Sequence, residues 1–461
     1  MSPTFRALAN PNYRLYFAGS LVSNTGTWMM RVAQDWLVLK PLHGGGSAVG
    51  ITTGLQFLPV LLITPYAGVI ADRLSKRGLL QMTQTLMGFF SLLAGVIAVT
   101  GHSQIWVVYL CAMGLGVGAA FDAPARQSFV SEIVGPTELT NAVGLNSASF
   151  NAARILGPAL SGMLIGALGS GQTATGVVFL INGVSYLAVI IQLRRMNAAL
   201  LNSPKPRGRT PGALLEGVRY VRTQPKMLFV LVLVFFAGTF GMNFQLTSAL
   251  MATEVFGKGA GEYGLLGSCQ AVGSLIGALM AARRTHIPLR LLVVAGTGFG
   301  IAAIAAGSMP SYAAFAALSP LIGFTMLTLL NSANGTMQLE SDPAHRGRVM
   351  ALYMTVVQGG TPVGSPLIGW VGEQFGPRWT LWLGGGLTLV GVALAVAVLM
   401  RLRRFDPVKD GQVASSLVSD SMPGRFQAHQ SDTDTCVAER RAVTEDMKEV
   451  PPGANHSATG P

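Results

Sequence analysis

The chain has 461 residues, 50% of them hydrophobic and only 11% charged, with a net charge of +12. Soluble domains average about 25% charged residues, so this composition excludes an ordinary soluble globular protein and leaves an integral membrane protein. The apolar runs are continuous, without the period-two alternation of a membrane barrel, and backbone groups in hydrocarbon must pair internally, so the runs are read as helices.

Crossing about 30 Å of hydrocarbon takes roughly 20 apolar residues in a helix. By that measure, and by the gaps that charged residues leave, the sequence predicts about twelve spans. They cover residues 15–39, 47–71, 79–100, 104–122, 139–167, 174–194, 227–253, 262–282, 289–308, 311–337, 349–372 and 378–400. The first is read as a retained span, because no small-residue cleavage site follows it. Inside it, "WMMRVAQDWLV" sets Arg31 and Asp35 four residues apart, on one helix face. A charge at helix centre costs roughly 2.5–3.5 kcal/mol even on the lenient insertion scale. The pair is therefore a candidate substrate or proton site, with a mutually neutralised packing pair as the alternative.

Between the second and third spans, "GVIADRLSKR" crowds Gly68, Asp72, Arg73, Lys76 and Arg77 into one loop, and Asp122 closes the fourth span. The fifth span carries Gly144, Gly157, Pro158 and Gly162, with Arg154 just before Gly157; a helix-interface role and a functional one are open for Arg154. Small residues let helix backbones approach closely and Pro bends a helix. A basic, Pro-containing connector follows the sixth span, with a short surface helix expected from Thr210. In the seventh span Phe236, Phe240 and Phe244 recur every fourth residue, a stripe that serves packing as readily as a pocket. Asn24 and Asn243 match between the first and seventh spans, and Asn331 and Asn334 lie three apart in the tenth. With Phe240 these amides are candidate cavity residues. The stretch from Phe405 to Pro461 is rich in Ser, Asp, Thr, Gly and Pro and is expected to be disordered.

Alternate loops differ sharply in charge. One set holds Arg6, Arg14, Arg73, Lys76, Arg77, Arg126, Arg194, Arg195, Lys205, Arg283 and Arg346 among others; the other holds Lys40, Lys258 and Arg378. That bias puts the first set and both termini in the cytoplasm. It also accounts for the positive charge without a nucleic-acid partner. The connector divides the chain into an N-terminal six-helix half (1–194), the connector (195–226), a C-terminal six-helix half (227–402) and the tail (403–461). "FAGSLVSN" is echoed by "FAGTFGMN", and "AVGLNSASFNAARILGPALSG" by "VMALYMTVVQGGTPVGSPLIG", each pair at the same ordinal span of its half. Two parallel repeats are the arrangement of a transporter with two rocking halves.

Cys111, Cys269 and Cys436 are far apart and show neither a disulfide framework nor a metal spacing. No G-x-x-x-x-G-K-[ST] phosphate loop, channel filter or clustered catalytic constellation is present. An ATP-driven pump, a potassium-type channel and an enzyme are thus disfavoured, and no cofactor or metal is expected.

The loop "GVIADRLSKR" resembles the signature loop of the major facilitator superfamily, with Ser75 where that family usually has Gly. "NPNYRLYFAGSLVSNTGTWM", "RVAQDWLV" and "FDAPARQSFVSEIV" carry a closer likeness to its branch of drug, macrolide and siderophore exporters, which includes the enterobactin exporter. The resemblance covers roughly residues 5–400. It implies an all-α fold of about twelve transmembrane helices and a cytoplasmic latch formed by Gly68, Asp72, Arg73, Lys76 and Arg77 with Asp122. In that reading Asp72 caps a neighbouring helix N-terminus and Lys76 pairs with Asp122. Gly144, Gly157, Pro158 and Gly162 are similar to the family's fifth-span antiporter motif, which accompanies export; Ala153 and Ser161 replace two of its glycines. The fourth-span Arg of the family is replaced here by Ala112, so coupling has to be sought elsewhere. The resemblance further implies a monomeric, multi-pass protein of a bacterial inner membrane, in which lipid, a small-molecule substrate and protons are the partners. The expected function is proton-coupled export of amphipathic molecules; the alternatives are a lipid or lysophospholipid carrier and a non-transporting sensor or scaffold.

Overall fold

The computed structural model describes residues 3–201, 213–284, 287–342 and 345–404, with residues 3–4, 65–73, 136, 198, 213–217, 282 and 403–404 described as backbone only. Asn10 starts the first long helix. Its side chain accepts from the amides of Asn12 and Tyr13 at 2.9 and 3.2 Å, and Pro11 follows it. These two devices satisfy the orphan donors of a helix start, and α1 runs Pro11–Leu39. Then come α2 (Gly45–Arg73), α3 (Lys76–Val99), α4 (Ile105–Ile133), α5 (Pro136–Ala167) and α6 (Gln172–Arg195). The connector contributes α7 (Ala213–Arg222), the surface helix that the sequence leads one to expect. After it lie α8 (Pro225–Phe236), α9 (Phe244–Leu250), α10 (Ala260–Ala282), α11 (Leu289–Gly307), α12 (Tyr312–Glu340), α13 (Arg346–Gly359), α14 (Thr361–Phe375) and α15 (Pro377–Arg404). Two π-helical turns, Ala237–Gly241 and Met251–Val255, flank α9.

Among the described residues nine helical segments are long and apolar enough to cross a membrane. Helix runs through the expected stretches with breaks at Met242–Asn243 and at Gly360, but α1, α5 and the α13–α14 segment fall outside these nine. The reasons differ. α1 carries Arg14, Arg31, Gln34 and Asp35, and α5 is rich in Asn, Ser and Thr. The α13–α14 stretch is interrupted at Gly359–Gly360, so each piece is short. Residues Met1–Met400 form one compact unit; of the second segment, Arg401–Pro461, only residues 401–404 are described, as the end of α15, and the expected disordered tail lies outside the described residues.

Hydrogen bonds between turns define two ends. At the basic end Arg77 donates to the carbonyls of Leu193 and Arg194 at 2.7 and 2.9 Å, a cation at the C-terminus of α6. There too the Tyr220 hydroxyl donates to Asp342 at 2.9 Å. At the opposite end the Trp36 indole donates to Ser170 O at 3.0 Å and Arg378 to Gly307 O at 3.1 Å. α1–α6 pack on one another (α1 on α5 and α6, α3 on α4 and α6), and α10–α12 do likewise.

The two groups of helices meet along α2 against α14 and α5 against α10. Glycine makes both contacts possible. A Cβ on Gly46 would sit 2.6 Å from Gly369 O, and one on Gly162 would overlap the Ala260 carbonyl. Among the described residues three hydrogen bonds also cross the divide: Ser47 N to Glu373 Oε2 at 2.9 Å, Tyr263 Oη to Asp35 Oδ2 at 2.8 Å, and Ser268 Oγ to Ile155 O at 2.6 Å. Glu373 thereby supplies a carboxylate to the N-terminal turn of α2 from the other group. Toward the basic end the groups part around a crevice of about 480 Å³, lined by Leu61, Gln127, Asn334, Gln338, Met350 and Met354.

Candidate functional site

Deep between the two groups lies a second cavity, of about 200 Å³. It adjoins the crevice, since Gln358 lines both. α1 and α2 supply Trp28, Arg31 and Phe57, and α5 supplies Arg154 and Pro158. On the other side stand Tyr263 and Gln270 of α10, Gln358 of α13 and Ser365 of α14. A further stretch of wall is Gly241–Leu246, six successive residues. A regular helix shows one face to a cavity; consecutive residues can all line it because the π turn at Ala237–Gly241 unwinds the helix just before α9. The Asn243 amide anchors the break. It donates to Thr239 O at 3.0 Å and accepts from Ser365 Oγ at 2.5 Å.

Arg31 and Arg154 both face Trp28. Their guanidinium carbons lie 4.9 and 5.6 Å from its ring centroid, and Arg31 also lies 5.6 Å from that of Phe57. These are cation–π distances. Arg31 Nε has no hydrogen-bond partner among the described residues.

The structure separates Arg31 from Asp35, against the expectation of a pair. No ion pair joins them among the described residues. The long Arg31 side chain reaches the aromatic faces of the cavity, whereas the short Asp35, 5% exposed, accepts the Tyr263 hydroxyl of α10.

The latch geometry also differs from expectation. α4 continues through Asp122 to Ile133, so Asp122 is buried inside a helix and does not end one. It takes Arg126 as its ion-pair partner at 2.5 Å and accepts from Thr83 at 3.0 Å and Gln84 at 2.7 Å. Lys76 pairs instead with Glu132, one residue before the C-terminus of α4, at 2.5 Å. Ser75 caps α3, its hydroxyl accepting from Gly78 N at 3.3 Å. Lys76 and Arg77 therefore bind α3 to α4 and α6 within one group of helices. Gly68, Asp72 and Arg73 have side-chain positions outside the described residues.

In α5 the small residues serve two neighbours. A Cβ on Gly157 would lie 2.5 Å from Trp28 Cβ on α1, while Pro158 and Gly162 meet Gly264 of α10. The Ser161 hydroxyl donates to Met29 O at 2.8 Å. Gly144 has nothing within reach. Asn334 lines the crevice and accepts from Gln338 at 2.5 Å. Phe240 lines a small side pocket with Phe244 and Phe299. Asn24 and Asn331 are half-buried and line neither the cavity nor the crevice. Sequence reasoning missed Trp28, Tyr263, Gln270, Gln358, Glu132 and Glu373. For Trp28 a signal existed, its three-residue spacing from Arg31; the others are brought in by chain segments more than fifty residues away.

A family profile described as transmembrane secretion effector matches residues 2–425. The chain is 22% identical over 370 residues to the staphyloferrin A transporter of Staphylococcus aureus, covering 79% of this chain and 90% of that protein. It is 26% identical to the multidrug efflux pump Tap of Mycolicibacterium fortuitum, covering 85% and 96%. A bacterial homologue of the human lysosomal transporter Spinster, solved in an inward-facing, unoccupied form, superposes with a TM-score of 0.66 at 16% identity, covering 86% and 97%.

Proposed function

The chain belongs to the transmembrane secretion effector family of the major facilitator superfamily, and from that premise we propose that it is a proton-coupled exporter of amphipathic small molecules working by alternating access. It is a multi-pass membrane transporter of the cell membrane, with efflux pumps among its relatives. We read it as twelve spans in two parallel six-helix repeats, 1–194 and 227–402, joined by the 195–226 connector, with residues 403–461 as a tail. The termini and the basic end are cytoplasmic, and the unit is a monomer. The drug, macrolide and siderophore classes are the proposed substrates, and Asn243, Arg31 and Arg154 the proposed contacts. The observation that carries the reading is the asymmetry of the divide: closed by glycine contacts and hydrogen bonds at one end, parted by a crevice at the other. A ligand or proton that favours the opposite closure shifts such an equilibrium by its differential affinity for the two forms.

Asp35 is the proposed coupling carboxylate. It lies inside α1, and its Tyr263 hydrogen bond ties the two groups at the closed end. Gaining a proton there weakens a charge-assisted bond and couples protonation to opening. Asp72 remains the proposed latch for the reverse closure, by capping a helix N-terminus on the cytoplasmic side.

The test uses inside-out vesicles with an imposed pH gradient and a fluorescent drug. Asp35→Asn is expected to bind the drug as wild type does, yet to lose uphill accumulation and its dependence on pH. Uphill transport that survives in Asp35→Asn puts the coupling group elsewhere.

A further inference from the structure

We propose that the central cavity is built for an acidic amphipathic ligand, whose anionic group binds between Arg31 and Arg154 while its aromatic or apolar body lies along Trp28, Phe57 and Phe244. The inference rests on the exporter reading and specifies its substrate. Both guanidiniums line the same 200 Å³ cavity, and both are drawn to one indole ring. Among the described residues the lining contains no carboxylate, and neither Arg31 nor Arg154 makes an ion pair. Arg31 Nε is shut off from solvent and has no hydrogen-bond partner.

Two cations in a low-dielectric cavity repel each other and are costly without a counter-charge. The nearest acid on these elements, Asp35, has turned toward Tyr263 and offsets at most one of the two positive charges. The arrangement lacks one anion, and a carboxylate, sulfonate or phosphate on the ligand supplies it. Guanidinium forks suit such groups better than ammonium does. The other lining groups, Asn243, Gln245, Gln270 and Gln358, are amides that can donate to the ligand's oxygens. A cationic drug meets the opposite field: it faces two like charges and no acid.

The test compares carboxyfluorescein, an aromatic anion, with ethidium, an aromatic cation. Saturable binding is measured on the purified full-length protein in lipid nanodiscs, and uptake in inside-out vesicles. Wild type is expected to bind and move carboxyfluorescein and to bind ethidium at least about tenfold more weakly. Arg154→Gln is expected to weaken carboxyfluorescein binding by about tenfold or more, the scale of one lost charged hydrogen bond. Arg154→Lys, which keeps the charge and loses the planar fork, should recover only part of it. Because Arg154 carries no structural hydrogen bond or ion pair among the described residues, Arg154→Gln should fold, with an unchanged melting temperature as the check. Ethidium bound or moved in preference to carboxyfluorescein, or Arg154→Gln binding carboxyfluorescein as wild type does, overturns the acidic-ligand inference and leaves export standing. Saturable binding of carboxyfluorescein with no uptake of either dye overturns the exporter reading and leaves the ligand class standing.

Discussion

Lys76 is the residue whose part changes most once its surroundings are known. Its side chain is 12% exposed and that of its partner Glu132 6%, so the pair is held out of water at the seam of α3 and α4. Removing one member of a buried pair strands the other charge, at a cost of about 3–5 kcal/mol, whereas replacing both with apolar residues is often neutral. Lys76→Met is therefore expected to lower expression and the melting temperature of the purified protein, and Lys76→Met with Glu132→Leu to regain most of the loss. A Lys76→Met protein that melts normally but does not transport would return Lys76 to the latch. The membrane-embedded charges themselves were legible in the sequence, since Arg31, Asp35 and Arg154 stand out in apolar runs. Their partners were not, because the i,i+4 rule that joins Arg31 to Asp35 says nothing about Tyr263, which is 228 residues from Asp35.

At the scale of elements, hydropathy located the helices because hydrocarbon enforces length and internal hydrogen bonding. The ends and breaks escaped it. α4 passes Asp122 because Asp122 is satisfied by Thr83, Gln84 and Arg126 and has no need of water. The unwound stretch at Gly241–Asn243 lies inside a segment as apolar as the other spans, so only Gly238 and Gly241 mark a break. The contact of α2 with α14 was likewise unreadable, being set by backbone proximity at Gly46 and Gly369. It carries a prediction. Glu373 accepts from Ser47 N and so places negative charge at the N-terminus of α2. At an exposed helix end such a charge contributes about 0.3–1 kcal/mol, a shift of about two- to fivefold between two balanced forms. Glu373→Gln is expected to favour opening at this end. A reporter is Met354→Cys in the crevice, whose labelling by a soluble maleimide should slow by the same factor in the Glu373→Gln background. Equal labelling rates would mean that Glu373 does not bias the closure.

For the whole molecule, the decisive quantity is which end faces the cytoplasm, because direction of transport depends on it. The helix ends and the surface helix at the basic end carry Arg77, Arg126, Arg194, Arg195, Arg219 and Arg222, while Lys40, Lys258 and Arg378 lie at the other. Insertion retains such Lys and Arg excess on the cytoplasmic side. The crevice opens toward the basic end, so in this orientation a ligand enters from the cytoplasm and Arg31 and Arg154 are reached from within. Closure at the far end by Asp35–Tyr263 and Glu373–Ser47 then stands between the ligand and the exterior. In a background with Cys111, Cys269 and Cys436 replaced by Ser, Lys40→Cys and Lys258→Cys, both exposed, are expected to react with a membrane-impermeant maleimide on intact cells. Arg219→Cys, exposed on α7, should react only after permeabilisation. Labelling of Arg219→Cys on intact cells would invert the molecule, turning the crevice outward and converting the same cavity from an exporter's loading site into an importer's.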